Sequence, residues 1–253
     1  MIELIPAIDI IDGQCVRLTQ GDYDQKRTYG NPVEMAIRLE EAGYKRLHMV
    51  DLDGARSKHI VNIKTLREVT KATRLLVDFG GGIKTTEDLE QVFEAGADMA
   101  TAGSIAVKNP ELYLTWLQKY GARHIILGAD VRNGQVSING WKEEAPVALD
   151  DFLKNYMDKG TINVLCTDIS KDGMLQGTAI ELYKKIMQAY PHMHLIASGG
   201  VSSIDDIAEL EQAGVPAVVF GKAIYEGRIN LQELLARFPQ NQTNASNTKE
   251  AGC

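Results

Sequence analysis

The chain has 253 residues, 44% of them hydrophobic, and a formal net charge of −7. That length suits one α/β barrel of ~250 residues. The acidic balance argues against nucleic acid or a membrane surface as partner, although backbone N–H groups and a few cations can still bind anions locally. Cys15, Cys166 and Cys253 make no CxxC pair, no apolar run approaches the ~18 residues of a membrane span, and "MIELIPAID" lacks a signal-peptide pattern. A reduced, cytoplasmic location is therefore expected.

In chain order, strands are predicted at Glu3–Asp9, Arg46–Leu52, Arg74–Phe79, Asp98–Gly103, His124–Asp130, Asn163–Asp168, His194–Gly199 and Ala217–Gly221. Most are nearly all apolar, as strands buried on both faces should be. Amphipathic helical patterns lie between them. "PVEMAIRLEEAG" opens on Pro and closes on Gly, "TTEDLEQVFEAG" has a Thr cap, early acids and a Gly stop, and "SSIDDIAELEQAG" repeats that design. Eight strand–helix units in this length predict an α/β fold, a closed (β/α)8 TIM barrel over residues 1–238. An open doubly wound sheet is the alternative, but no GxGxxG follows the first strand. The tail, residues 239–253, is polar, Asn-rich and aperiodic, and is expected to be disordered.

The chain repeats itself. Gly81–Ala106 aligns without a gap on Gly199–Ile224, 118 residues later. Asp9 and Asp130 match in context, each in an apolar run that leads to Gly-Gln; Asp51 and Asp168 match at the ends of the second and sixth strands. Two similar half-barrels of four units each are expected. Barrel active sites sit at the C-terminal ends of the strands. Asp9 and Asp130 would then face each other from the first and fifth strands, an arrangement suited to paired acid–base work. The Gly-Gly pairs would let backbone N–H groups approach a phosphate. One cradle comprises Gly81, Gly82, Gly103 and Ser104, and the other Gly199, Gly200, Gly221 and Lys222. Two such cradles imply an elongated substrate with a phosphate at each end; tight loop packing is the plainer explanation for the glycines.

The motifs "IPAIDIIDGQCVRLTQGDY", "VDLDGA", "GGGIKTTED", "GADVRNGQVSINGW", "TDISKDGMLQG" and "ASGGVSSIDD" together resemble the phosphoribosylformimino-5-aminoimidazole carboxamide ribotide isomerases of histidine biosynthesis, over Met1 to about Phe238. The resemblance implies an Amadori rearrangement of a bis-phosphorylated aminoaldose to the aminoketose, with no cofactor and no metal. It implies Asp9 as general base at C2 and Asp130 as general acid in ribose opening. It places Thr167 and Asp172 in the site lining, Trp141 as a loop aromatic stacking on the imidazole carboxamide, and Arg17 in a mobile first loop. Gly173, in the turn "KDG", joins the phosphate-binding set. Lys84 stands where such isomerases often carry Arg, which keeps the charge but loses the bidentate fork. Neighbouring possibilities are a dual-substrate isomerase that also acts on phosphoribosyl anthranilate, the cyclase subunit of imidazole glycerol phosphate synthase, and a non-catalytic phosphosugar-binding barrel. A small-molecule substrate, no obligate protein partner and a monomeric state are expected. His48, His59, His124, His192 and His194 show no metal-ligand spacing, and Cys166, inside a strand, reads as an inert buried thiol.

Overall fold

The computed structural model describes every residue except 20, 139, 140, 142 and 241–253. Among the described residues there are twelve strands: β1 (Glu3–Ile11), β2 (Gln14–Thr19), β3 (Asp22–Gly30), β4 (Arg46–Asp51), β5 (Leu76–Gly80), β6 (Met99–Ala102), β7 (Ile125–Arg132), β8 (Gln135–Ile138), β9 (Glu143–Ala148), β10 (Asn163–Asp168), β11 (His194–Ser198) and β12 (Ala217–Phe220). Eight of them pair in parallel in the cyclic order β1-β4-β5-β6-β7-β10-β11-β12, and β12 returns to β1. These are the eight predicted strands, and the sheet closes on itself: a (β/α)8 barrel.

The strands read as apolar throughout because both of their faces are covered. Ile5, Ala7, Ile126, Leu165, Ile196, Ala217 and Val219 fill the barrel interior, with Met99 packed beside them. Alternate residues of the same strands, such as Leu4, Ile8 and Ile10, join the layer between sheet and helices. Each Leu or Ile buried this way contributes about 1.5–3 kcal/mol relative to leaving it exposed.

The half-barrel repeat is visible in the local chemistry. Helix Thr86–Glu94 starts at a capping box of Thr85 and Asp88, and helix Ile204–Gln212 at one of Ser203 and Asp206. After β1 and after β7 the chain reverses through two-residue turns, Asp12-Gly13 and Asn133-Gly134, with positive φ at all four residues. This is the turn geometry whose twist fits a hairpin. Consequently β1 and β7 run on past Asp9 and Asp130 to Ile11 and Arg132. The two aspartates thus lie two residues inside their strands rather than at the ends, where β1 and β7 leave the barrel for the antiparallel pairs β1–β2 and β7–β8.

At the C-terminal side, Gln240 extends beyond the expected limit of the barrel. Its side chain accepts from the Leu4 N–H at 3.0 Å and donates to the Phe238 carbonyl at 2.9 Å. The remainder of the predicted tail, 241–253, lies outside the described residues. No helix among the described residues is long and apolar enough to cross a membrane.

Candidate active site

A cavity of about 240 Å³ opens at the C-terminal ends of the barrel strands. Asp9 and Asp130 line it from β1 and β7, which stand half-way round the barrel from each other. Arg17, Trp141, Thr167 and Asp172 line it as well. So do Gly81, Gly82, Gly103 and Ser104 on one side, and Gly173, Gly199, Gly200, Gly221 and Lys222 on the other. The structure brings these residues around one space, whereas the other matched pair, Asp51 and Asp168, does not line it; Asp51 is buried and holds the backbone of Gly54, Val61 and Asn62.

Asp9 is ion-paired: Arg17 Nη1 donates to its Oδ2 at 2.6 Å. Arg17 belongs to β2, so the first loop after the barrel strand is built as the hairpin of β2 and β3. Trp141 and Thr167, the latter its register partner on β10, face the Asp130 carboxylate as donor groups. Burial pushes the Asp130 carboxyl above the usual carboxylate range, against the opposite pull of those two donors and of His48. Asp172 is pushed up to about 6, first by burial and then by Asp9 and Asp130, with Arg17 and Lys222 opposing. The site therefore holds carboxyl groups in unlike surroundings, the condition for separate acid and base roles at one pH.

The Gly-Gly pairs have a packing requirement of their own. Gly82 and Gly200 adopt φ of 85° and 86°. A Cβ on Gly82 would lie 2.7 Å from the His59 backbone, and one on Gly200 would overlap the Gly177 carbonyl. Beyond each pair, a short helix starts at the cavity wall: Ser104–Lys108 after Gly103, and Lys222–Tyr225 after Gly221. Barrels commonly hold phosphate at such a helix N-terminus. Lys84 Nζ donates to the Ser104 hydroxyl, and Lys222 Nζ donates to the Gly173 carbonyl at 2.6 Å. Gly221 also accommodates Arg17, whose Cζ would come within 2.9 Å of a Cβ there.

The profile of the family described as "Histidine biosynthesis protein" matches residues 3–230. The chain belongs to the histidine biosynthesis protein family. It is 60% identical over 235 residues to a protein of Phocaeicola vulgatus, an alignment that covers 92% of this chain and 98% of the relative. It is 57% identical to one of Bacteroides thetaiotaomicron and 52% identical to one of Cytophaga hutchinsonii, with the same coverage of both chains. All three relatives carry the name 1-(5-phosphoribosyl)-5-((5-phosphoribosylamino)methylideneamino) imidazole-4-carboxamide isomerase.

This histidine biosynthesis barrel contains site residues that the sequence reading did not single out. His48 lines the cavity from β4, and its Nδ1 is hydrogen-bonded to Asp78 Oδ1. Asp78 also accepts from Arg46 Nε at 3.3 Å, and Arg46 Nη1 reaches Glu3 at 3.0 Å. Burial alone would raise the Asp78 carboxyl; His48 and Arg46 hold it below the usual range. His48 shares the inward face of β4 with Arg46, alternating with the outward Leu47 and Met49. Tyr23 of β3 closes over the cavity edge, its hydroxyl donating to the Leu52 carbonyl at 2.7 Å. Beside it the turn residue Gly21 meets Trp141: a Cβ on Gly21 would lie 2.8 Å from the indole ring. The two hairpins thus touch across the mouth of the cavity.

Proposed function

We propose that the chain is an isomerase of histidine biosynthesis, converting the bis-phosphorylated aminoaldose named in its relatives to the corresponding aminoketose by an Amadori rearrangement. Asp130, its pKa raised by burial, donates a proton to the ribose ring oxygen as the C1–O bond breaks, leaving C1 doubly bonded to nitrogen. Asp9, paired with Arg17, takes the proton from C2, and the electron pair forms a C1–C2 double bond. The resulting enaminol gains a proton at C1 and loses the one on O2, which yields the ketone with no net proton change. Thr167 and Trp141 hold the Asp130 carboxyl in place, and Trp141 has the aromatic face to stack on the imidazole carboxamide. The two helix-start cradles fix the phosphates at either end, so the reacting carbons sit between the aspartates.

The observation that carries this reading is the pair of opposed aspartates in one cavity, flanked on both sides by matched glycine-bearing loops. Binding two phosphates requires neither carboxylate, which disfavours a barrel that only binds. The reading carries with it a small-molecule substrate, a cytoplasmic location and a monomer without an obligate partner. The test is direct. Purified protein is given the aminoaldose, and absorbance is followed with and without the downstream synthase that consumes the aminoketose. An unchanged substrate overturns the assignment.

A further inference from the structure

Ser137 of β8 lies directly opposite Asp130 of β7, so the two side chains share the face that lines the cavity. It is 5% exposed, and its Oγ is buried with no hydrogen-bond partner among the described residues. Buried hydroxyls are almost always paired, because an unpaired one costs free energy that an alanine would not. Arg17 Nε and Arg46 Nη2 are also unpaired and buried, but each belongs to a guanidinium already ion-paired through another nitrogen. Ser137 has no second polar atom in its side chain. Its position is also fixed: the Asn133-Gly134 turn sets the register of the β7–β8 pair, so the hydroxyl cannot slide away from Asp130.

We propose that Ser137 is a substrate-binding residue whose hydroxyl hydrogen-bonds a sugar hydroxyl of the ligand held against Asp130. The proposal rests on the reaction assigned above. Trp141 and Thr167 already face the carboxylate as donors, and among the described residues the Ser137 Oγ is buried beside them without a partner. A serine hydroxyl both donates and accepts, which matches a sugar hydroxyl and not a methylene. A site that leaves such a group unpaired in the free protein discriminates against analogues that cannot pair it. The serine therefore costs stability in the absence of ligand and contributes binding in its presence.

Those opposite signs make the test. In Ser137→Ala, kcat/KM for the aminoaldose should fall about 5- to 10-fold, the effect of one neutral hydrogen bond. Affinity for the aminoketose product, measured by titration calorimetry, should fall by a similar factor. The melting temperature of the free protein should stay equal or rise. Ser137→Cys keeps the shape of the side chain, slightly enlarged, with only a weak donor, so it should fold and should lose activity and affinity in the same direction. If either variant binds and turns over within twofold of the parent, Ser137 makes no substrate contact. An active parent matched by its variants overturns the Ser137 contact alone, whereas a parent that does not convert the aminoaldose overturns the reaction itself.

Discussion

Arg17 donates to Asp9 at 2.6 Å from the adjacent strand of the same hairpin, and both side chains are at most 15% exposed. The guanidinium is wedged between the carboxylate and Gly221, at the start of the helix Lys222–Tyr225. One cation therefore connects the proposed general base to the proposed phosphate cradle. Arg17→Ala should lower kcat/KM about 10- to 100-fold, the range for hydrogen bonds to charged groups. Gly221→Ala, which displaces the guanidinium without removing it, should give a smaller fall of the same sign. Steady-state kinetics on both variants checks this; parent-like rates in Arg17→Ala would show the ion pair to be idle.

Asp9→Asn and Asp130→Asn should each reduce kcat by about 10² to 10⁴, the usual contribution of a positioned acid or base, and leave product affinity within a few-fold. The amide keeps the size of the side chain but can no longer take up or deliver the proton. Single-turnover kinetics beside product titration separates the two effects. Near-parent turnover in either variant removes the acid–base role of that aspartate.

Asp172 gives a pH signature. Its carboxyl is pushed up to about 6 in the folded chain, above the ~3.9 of an unfolded aspartate. The folded state therefore holds that proton more tightly, and the group stabilises the fold relatively at low pH. Stability from this source is present below about pH 4 and is lost as pH rises toward and through 6. The loss is on the order of 3 kcal/mol, from a shift of about two pKa units. Asp172→Asn should thus melt higher than the parent at pH 7.5, and the difference should shrink to nothing near pH 4. Thermal melts across that range decide it, and a variant less stable than the parent at pH 7.5 would reverse the sign.

The eight barrel strands were legible because strands covered on both faces must be apolar along their length. His48 and Asp78 break that run, alternating with the outward Leu47, Met49, Val77 and Phe79, but the alternation is too short to show that the two polar residues meet across neighbouring strands. The β2–β3 hairpin was not legible for another reason. "DYDQKRTYG" is mostly exposed, has no alternation, and is a strand only through its pairing with β2. Asp12-Gly13 and Asn133-Gly134 mark the β1–β2 and β7–β8 reversals instead, since Asp-Gly and Asn-Gly are strong short-range hairpin signals; no such pair stands between β2 and β3. Asp9 and Asp130 were found through the internal repeat, which needs no knowledge of the fold. Ser137 had no counterpart in that reading, because its meaning depends on the strand opposite.

The two-ended substrate makes the most demanding prediction, and the structure changes how it must be tested. Valine at Gly82 or Gly200 would fill a phosphate cradle, but it would also meet backbone at His59 or Gly177, at a φ that valine resists. Either substitution should lower the melting temperature, so lost activity there would not report on phosphate. Changes at the cavity wall avoid this. Ser104→Ala, or Lys84→Met, which removes the ammonium that donates to Ser104, should leave melting within a few degrees and weaken only the Ser104 end. Substrate analogues provide the complementary arm. If phosphates bound at both ends fix the reacting carbon between Asp9 and Asp130, an analogue lacking either phosphate should lose kcat as well as affinity, because remote binding is then used at the reacting centre. Ser104→Ala should penalise the full substrate more than the analogue that lacks the phosphate bound at Ser104, since the latter has no contact there to lose. An analogue with one phosphate and the full kcat, or a Ser104→Ala penalty equal for both substrates, would reduce the matched glycine loops to packing.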